Sequence, residues 1–202
     1  MAIVLPTHGQ LLWDTPLDLA LRNLSSGTFL PNDHGYLNWS TNPANSTGGA
    51  NPATGSVRMV KLPRLPQSYT ITTVTAFVST AGVALTANQC FAGIYDSTGT
   101  RQGVTADQSA VWNTTGLKAM ALTVPYVVSA QADIWAAVLY NGTSCSFAVA
   151  ATVAGFNDLF NANLTPSTAR YTIGPAAQTS LPASITMASR TNSSQATWMA
   201  VA

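Results

Sequence analysis

The stretch "CFAGIYDSTGTRQGVTADQ", Cys90 to Gln108, admits two incompatible interpretations. As a site, it offers a Gly-rich polar loop with an arginine and two carboxylates, Asp96 and Asp107. As structure, it is a strand that turns. The order of its residues favours the second. Cys90 to Tyr95 is a short apolar run, suited to a buried strand. "DSTG" places Asp at the first turn position and Gly at the fourth, as a type I turn prefers. "RQG" leads the chain onward, with Gly103 placed for a bulge. No G-x-x-x-x-G-K-[ST] pattern and no helical signal follow, so the glycines mark positive φ rather than a phosphate cradle. Arg101 is then a loop charge.

The same punctuation continues along the chain. From Val57 onward, "VRMVKLPRL", "YTITTVTAFVS", "CFAGIYD", "LKAMALTVP", "ADIWAAVLYNGT", "CSFAVAATV", "ARYTIG" and "ATWMAV" are strand-like runs bounded by Gly, Asn and Pro. "ADIWAAVLYNGT" is nearly continuous and apolar, as a central strand would be. Eight short strands with such turns imply an all-β fold, an antiparallel jelly-roll-like β-sandwich over residues 57–202. Composition agrees. Thr is abundant and suits strands, while Glu is absent from all 202 residues.

Residues 1–25 differ. "LLWDTPLDLALRNL" carries the one helical signal: Asp14 or Thr15 as cap, Pro16 in the first turn, Gly27 past the end. Leu17, Ala20, Leu21 and Leu24 share one face. So short a helix needs a partner to be stable, its own domain or copies of itself. Residues 26–56 read as a connector, Gly-, Asn- and Pro-rich in its second half and therefore exposed loop.

Charged residues make up 7% of the chain, against roughly 25% in typical proteins. The eight Lys and Arg are scattered, so no basic stripe suits nucleic acid. No apolar run is long enough for a membrane helix, and "MAIVLPTHGQ" lacks the basic and apolar regions of a signal peptide. The seven N-x-[ST] sequons, among them Asn113, Asn141 and Asn192, then follow from composition. Cys90 and Cys145 read as buried free thiols, with a disulfide as the alternative.

Material for catalysis is thin. Asp96, Asp107, Asp133 and Asp158 lie at strand ends or turns, where Asp caps local N–H groups. His8 and His34 are the only histidines, and Asp33 beside His34 makes no metal set. No G-x-S-x-G elbow occurs. The expectation is no catalytic residue, no metal and no cofactor. Trp112 in "AVWNTTG" and Tyr140 in "LYNGT" border loops and could stack on sugar rings. Trp112 could equally anchor the core with Trp135.

From Val57 onward the chain resembles a domain of virion appendage proteins from phages that infect actinobacteria, often the C-terminal domain of minor tail or fibre proteins. The resemblance rests on "FAGIYDSTGTRQGVTADQSAVWNTTGLKAMALTVPY", "ADIWAAVLYNGT", "LTPSTARYTIG" and "TSLPASIT". "PTHGQLLWDTPLDLALRNL" is similar to a short attachment or trimerisation segment of phage fibres. Collagen-like repeats and a long stalk, present in longer relatives, are missing here. The resemblance implies a virion structural protein, a compact and trimeric appendage on tail or capsid. Trp13, Leu17, Leu21 and Leu24 would assemble it and dock it on other virion proteins. Loops near Trp112 and Tyr140 would touch host-surface glycan. The other class to weigh is a free carbohydrate-binding module.

Overall fold

A computed structural model describes residues 30–150, 161–193 and 195–202. These residues form twelve strands: β1 (Asn38–Trp39), β2 (Ser46–Ala50), β3 (Arg58–Leu62), β4 (Tyr69–Val83), β5 (Phe91–Asp96), β6 (Arg101–Val104), β7 (Gly116–Val128), β8 (Ile134–Leu139), β9 (Ser144–Ala150), β10 (Tyr171–Ile173), β11 (Thr191–Asn192) and β12 (Met199–Val201). They make two sheets. The first runs β1-β12-β4-β9-β2, with β7 also paired to β4; the second runs β11-β10-β3-β8-β5-β6. The strand pairings are antiparallel. All eight expected strands are present, and the all-β expectation holds. The expected helix and its residues Trp13, Leu17, Leu21 and Leu24 lie outside the described residues.

The sheets share one core, a sandwich-like arrangement. Val60 and Leu62 of β3, Ala92 and Ile94 of β5 and Ile134, Ala136 and Val138 of β8 meet Ile71, Val74, Ala76 and Val78 of β4 and Phe147 of β9. In β4, Ile71 and Val74 differ in parity, so a plain strand would put them on opposite faces. A register shift against β7 between Ile71 and Thr73 returns both to the core. From Val74 to Val78 alternation is regular, with Val74, Ala76 and Val78 in the core, and Phe77 is therefore turned outward, directly opposite Leu117.

The second sheet is buried on both faces. Trp135, Ala137 and Leu139, alternating with the inward residues of β8, join Met59 and Tyr95 in a second apolar cluster. Leu181, Ile185 and Met187 complete this cluster from the chain between β10 and β11. That cover is tied down by backbone: Arg101 N donates to Ala183 O (2.9 Å) and Ile185 N to Gly99 O (2.8 Å). Tyr95 Oη donates to Pro182 O at 2.7 Å.

Two results differ from expectation. The stretch expected as connector supplies β1 and β2 to the first sheet, beside β12 and β9. The chain after the "DSTG" turn is a strand, β6, with Ile94 facing Gly103 but Tyr95 facing Arg101. The irregularity thus falls on Gln102, one residue before the expected bulge.

Gly99 has φ +85°, and an added Cβ would lie 1.9 Å from Ile185 O. Gly116 has φ +109° but nothing within 4 Å. Gly116→Ala should cost only the strain of positive φ, about 1 kcal/mol. Gly99→Ala adds a backbone clash that must lift the 181–187 cover, and should cost about 2–4 kcal/mol in denaturant unfolding. Equal losses in the two variants would contradict the docking of this cover.

Candidate functional site

A cleft of about 370 Å³ opens where β3 ends against the loop of residues 161–170. Lys61, Arg64, Asp133 and Arg170 line it, with Ser40, Thr168 and Tyr171. Each reaches it through local structure. Lys61 alternates outward from β3, directly opposite Trp135 of β8. Its ammonium stands 5.0 Å from the Trp135 ring centroid and 2.9 Å from Asp133 Oδ2. Arg64 follows the strand and grips Asp133 with both Nε (2.7 Å) and Nη2 (3.1 Å). The Arg64 hydrogen bond, with Lys61 behind it, holds the Asp133 carboxyl down to about 2 against the opposing effect of burial.

Asn161 shapes the loop. Its Nδ2 donates to Tyr171 O (2.8 Å), and its Oδ1 accepts from Arg170 N (2.7 Å) and Tyr171 N (3.2 Å). Lys61 N donates to Arg170 O at 2.7 Å, extending the β3–β10 ladder by one residue. Arg170 and Lys61 are therefore cross-strand neighbours. Behind them Arg190 is buried against the opposite side of the cluster, 5.0 Å from the Trp135 centroid. It donates to Met187 O, Thr172 Oγ1 and Pro166 O. Burial without a carboxylate lowers its pKa to about 10.

The expected glycan contacts do not survive. Trp112 is 0% exposed and Tyr140 2%. Trp112 plugs the core edge-on to Phe147 (5.1 Å between centroids), and its Nε1 points at Met120 Sδ. Tyr140 extends β8 inward and donates its hydroxyl to Asn51 Oδ1 at 2.7 Å. Both rings lack a free face for a sugar. Cys90 and Cys145 are buried and free; burial raises both thiols, Cys145 to about 12.

The aspartates serve the backbone. Asp96 Oδ1 accepts from Thr98 N (2.8 Å) and Thr100 N (3.1 Å), and Oδ2 from Gln102 Nε2 (2.6 Å). Burial raises its pKa, but these bonds outweigh it and the net shift is downward. Asp107 accepts from Cys90 N and from the Ser109 hydroxyl, with the same net direction. Asp33 caps Leu30 N at 2.7 Å. His34 packs edge-on to Trp39. Asp158 and His8 lie outside the described residues. Among the described residues no group of three or more His, Cys, Asp or Glu could hold a metal.

The outer face of the first sheet is different in kind. Phe77 is 40% exposed and Leu117 55%. Together with Pro43, Ala148 and Trp198 they line an apolar hollow. Val124 and Val127 of β7 are also exposed. The strand-like run "YTITTVTAFVS" contains Phe77, but which face it takes depends on the β4 register shift.

Trp112→Ala should cost about 3–5 kcal/mol of stability, the loss expected for a buried aromatic; an unchanged denaturant midpoint would contradict its core position. Asp133 has a depressed folded-state pKa, about 2 against an ordinary 3.8. Its contribution is therefore present above about pH 4 and lost as pH falls toward 2. Asp133→Asn should be less stable than the parent by about 1 kcal/mol at neutral pH, since Arg64 is solvent-exposed and the pair is screened. That gap should close by about pH 2 in parallel acid titrations.

No protein-family model matches the chain, and no curated protein matches it.

Proposed function

We propose that this chain is a phage virion structural protein, a compact trimeric appendage whose two sheets form a jelly-roll-like sandwich. Its N-terminal segment anchors it, with Trp13, Leu17, Leu21 and Leu24 as the assembly stripe. The observation that carries this reading is the open apolar strip on the first sheet, where Phe77 and Leu117 stand opposite each other. Exposed strips of this kind mark interaction surfaces. The sequence resemblance to appendage domains supplies the context, and the scarcity of charge fits a durable packed surface. A tail position, as a minor tail or receptor-binding protein contacting the host surface, is the first assignment. The short path from anchor to sandwich favours a capsid decoration protein or head fibre as the second.

Light scattering on the full chain should report a trimer. Leu21→Asp with Leu24→Asp should dissociate it, and Leu117→Ser should weaken it. A monomeric parent chain would remove the assembly reading and leave a free carbohydrate-binding module in its place. Antibody labelling of intact particles then separates tail from capsid.

A further inference from the structure

The cleft at the end of β3 gathers Lys61, Arg64 and Arg170, three of the eight Lys and Arg in the chain. Asp133 is the one carboxylate lining it, and Arg64 and Lys61 already occupy its oxygens. The cleft therefore carries surplus positive charge. Arg170 is exposed and has no ion-pair partner among the described residues. It sits directly across the strand pair from Lys61, a placement in which like charges repel. Folding gains nothing from that repulsion, yet the surroundings are built to keep it. Asn161 clamps the backbone of Arg170, and Trp135 and Asp133 fix the Lys61 ammonium.

We propose that this cleft binds a saccharide bearing an oxyanion, a carboxylate or a phosphate ester. Arg170 and Lys61 meet the oxyanion, because charge-assisted hydrogen bonds to such groups are among the strongest a side chain makes. Ser40 and Thr168 lie on the same walls; their hydroxyls are held by Thr197 O and Met199 N and by Thr165, which leaves an acceptor lone pair on each for a sugar hydroxyl, and Leu164 offers an apolar face to the ring. A volume of about 370 Å³ falls in the range of small-ligand pockets. The site is separate from the apolar strip, so binding by the isolated chain and assembly on the particle can fail independently.

The test is ¹H–¹⁵N NMR titration of the full chain with trigalacturonate, glucose 6-phosphate, inorganic phosphate and neutral maltotriose. The expected result is perturbation of the Lys61, Asp133 and Arg170 amides by one or both sugar anions, and none by maltotriose. Which sugar anion binds tells carboxylate from phosphate. Arg170→Gln should weaken binding roughly tenfold with an unchanged melting temperature. Lys118→Gln, a cation of β7, should leave it unchanged. Silence from both sugar anions overturns the proposal, as does an equal response to maltotriose. A response to inorganic phosphate alone overturns the saccharide assignment.

Discussion

A sheet whose central strand is apolar on both sides must be covered on both sides. Ile134 to Leu139 are all buried, and this demand organises the rest of the molecule. One face is met by the first sheet. The other is met by the irregular chain around Leu181, Ile185 and Met187, whose backbone groups still need partners. They find them in Gly99, Arg101 and Val57: Ile185 N donates to Gly99 O, Ala183 O accepts from Arg101 N, and Pro175 O accepts from Val57 N. Close approach of this cover also explains Gly93, where a Cβ would crowd Gly103 O at 2.7 Å and Leu181 at 2.9 Å. The turn that looked like a glycine-rich loop is thus the seat of the cover.

Scarce charge changes how charge is used. The described aspartates are spent on turns, a cap and one ion-pair cluster. Among the described residues Arg190 has no carboxylate partner; two carbonyls, a threonine hydroxyl and the Trp135 face take its place. Arg58 is likewise buried, bonded to Ser193 Oγ at 3.0 Å, and burial lowers its pKa. Burying a guanidinium is costly unless its donors are met; neutral groups meet all three nitrogens of Arg190, whereas the buried Nε of Arg58 has no hydrogen-bond partner. Trp135 consequently carries two cations over its ring, the partly exposed Lys61 and the buried Arg190, each 5.0 Å from the centroid, and its indole N–H is fixed on Ala169 O at 3.0 Å.

Most of the fold was legible because it is written in periodicity. The strands with an apolar pattern, β3, β4, β5, β7, β8, β9, β10 and β12, all correspond to apolar runs, even where, as in β10 and β12, only three residues pair. The strands missed were short or made of Ser, Thr, Gly and Asn, as in "STGGA" of β2. Such residues pair through backbone alone and leave no side-chain signature. The cationic cleft was not legible for a different reason. Its residues come from three distant stretches of sequence, Lys61 with Arg64, Asp133, and Arg170, and the β3–β8 and β3–β10 pairings bring them together. Trp112 and Tyr140 failed as contacts because proximity to a loop says nothing about which way a ring points.

The two sheets therefore present unlike surfaces for one structural reason. The second sheet had to be covered, and its cover and edge loops carry the arginines and the polar cleft. On the outer face of the first sheet its own Trp39, Ala148 and Ala200 pack with Trp198 and Tyr36. Beyond that cluster Phe77 and Leu117 remain open. A β4 strand without its register shift would turn Phe77 inward in place of Val74 and Ala76. The shift keeps a single small-residue core packed and, by the same step, sets an aromatic ring on the outside. The inward turn of Val74 and Ala76 and the outward turn of Phe77 thus follow from the same register shift in β4.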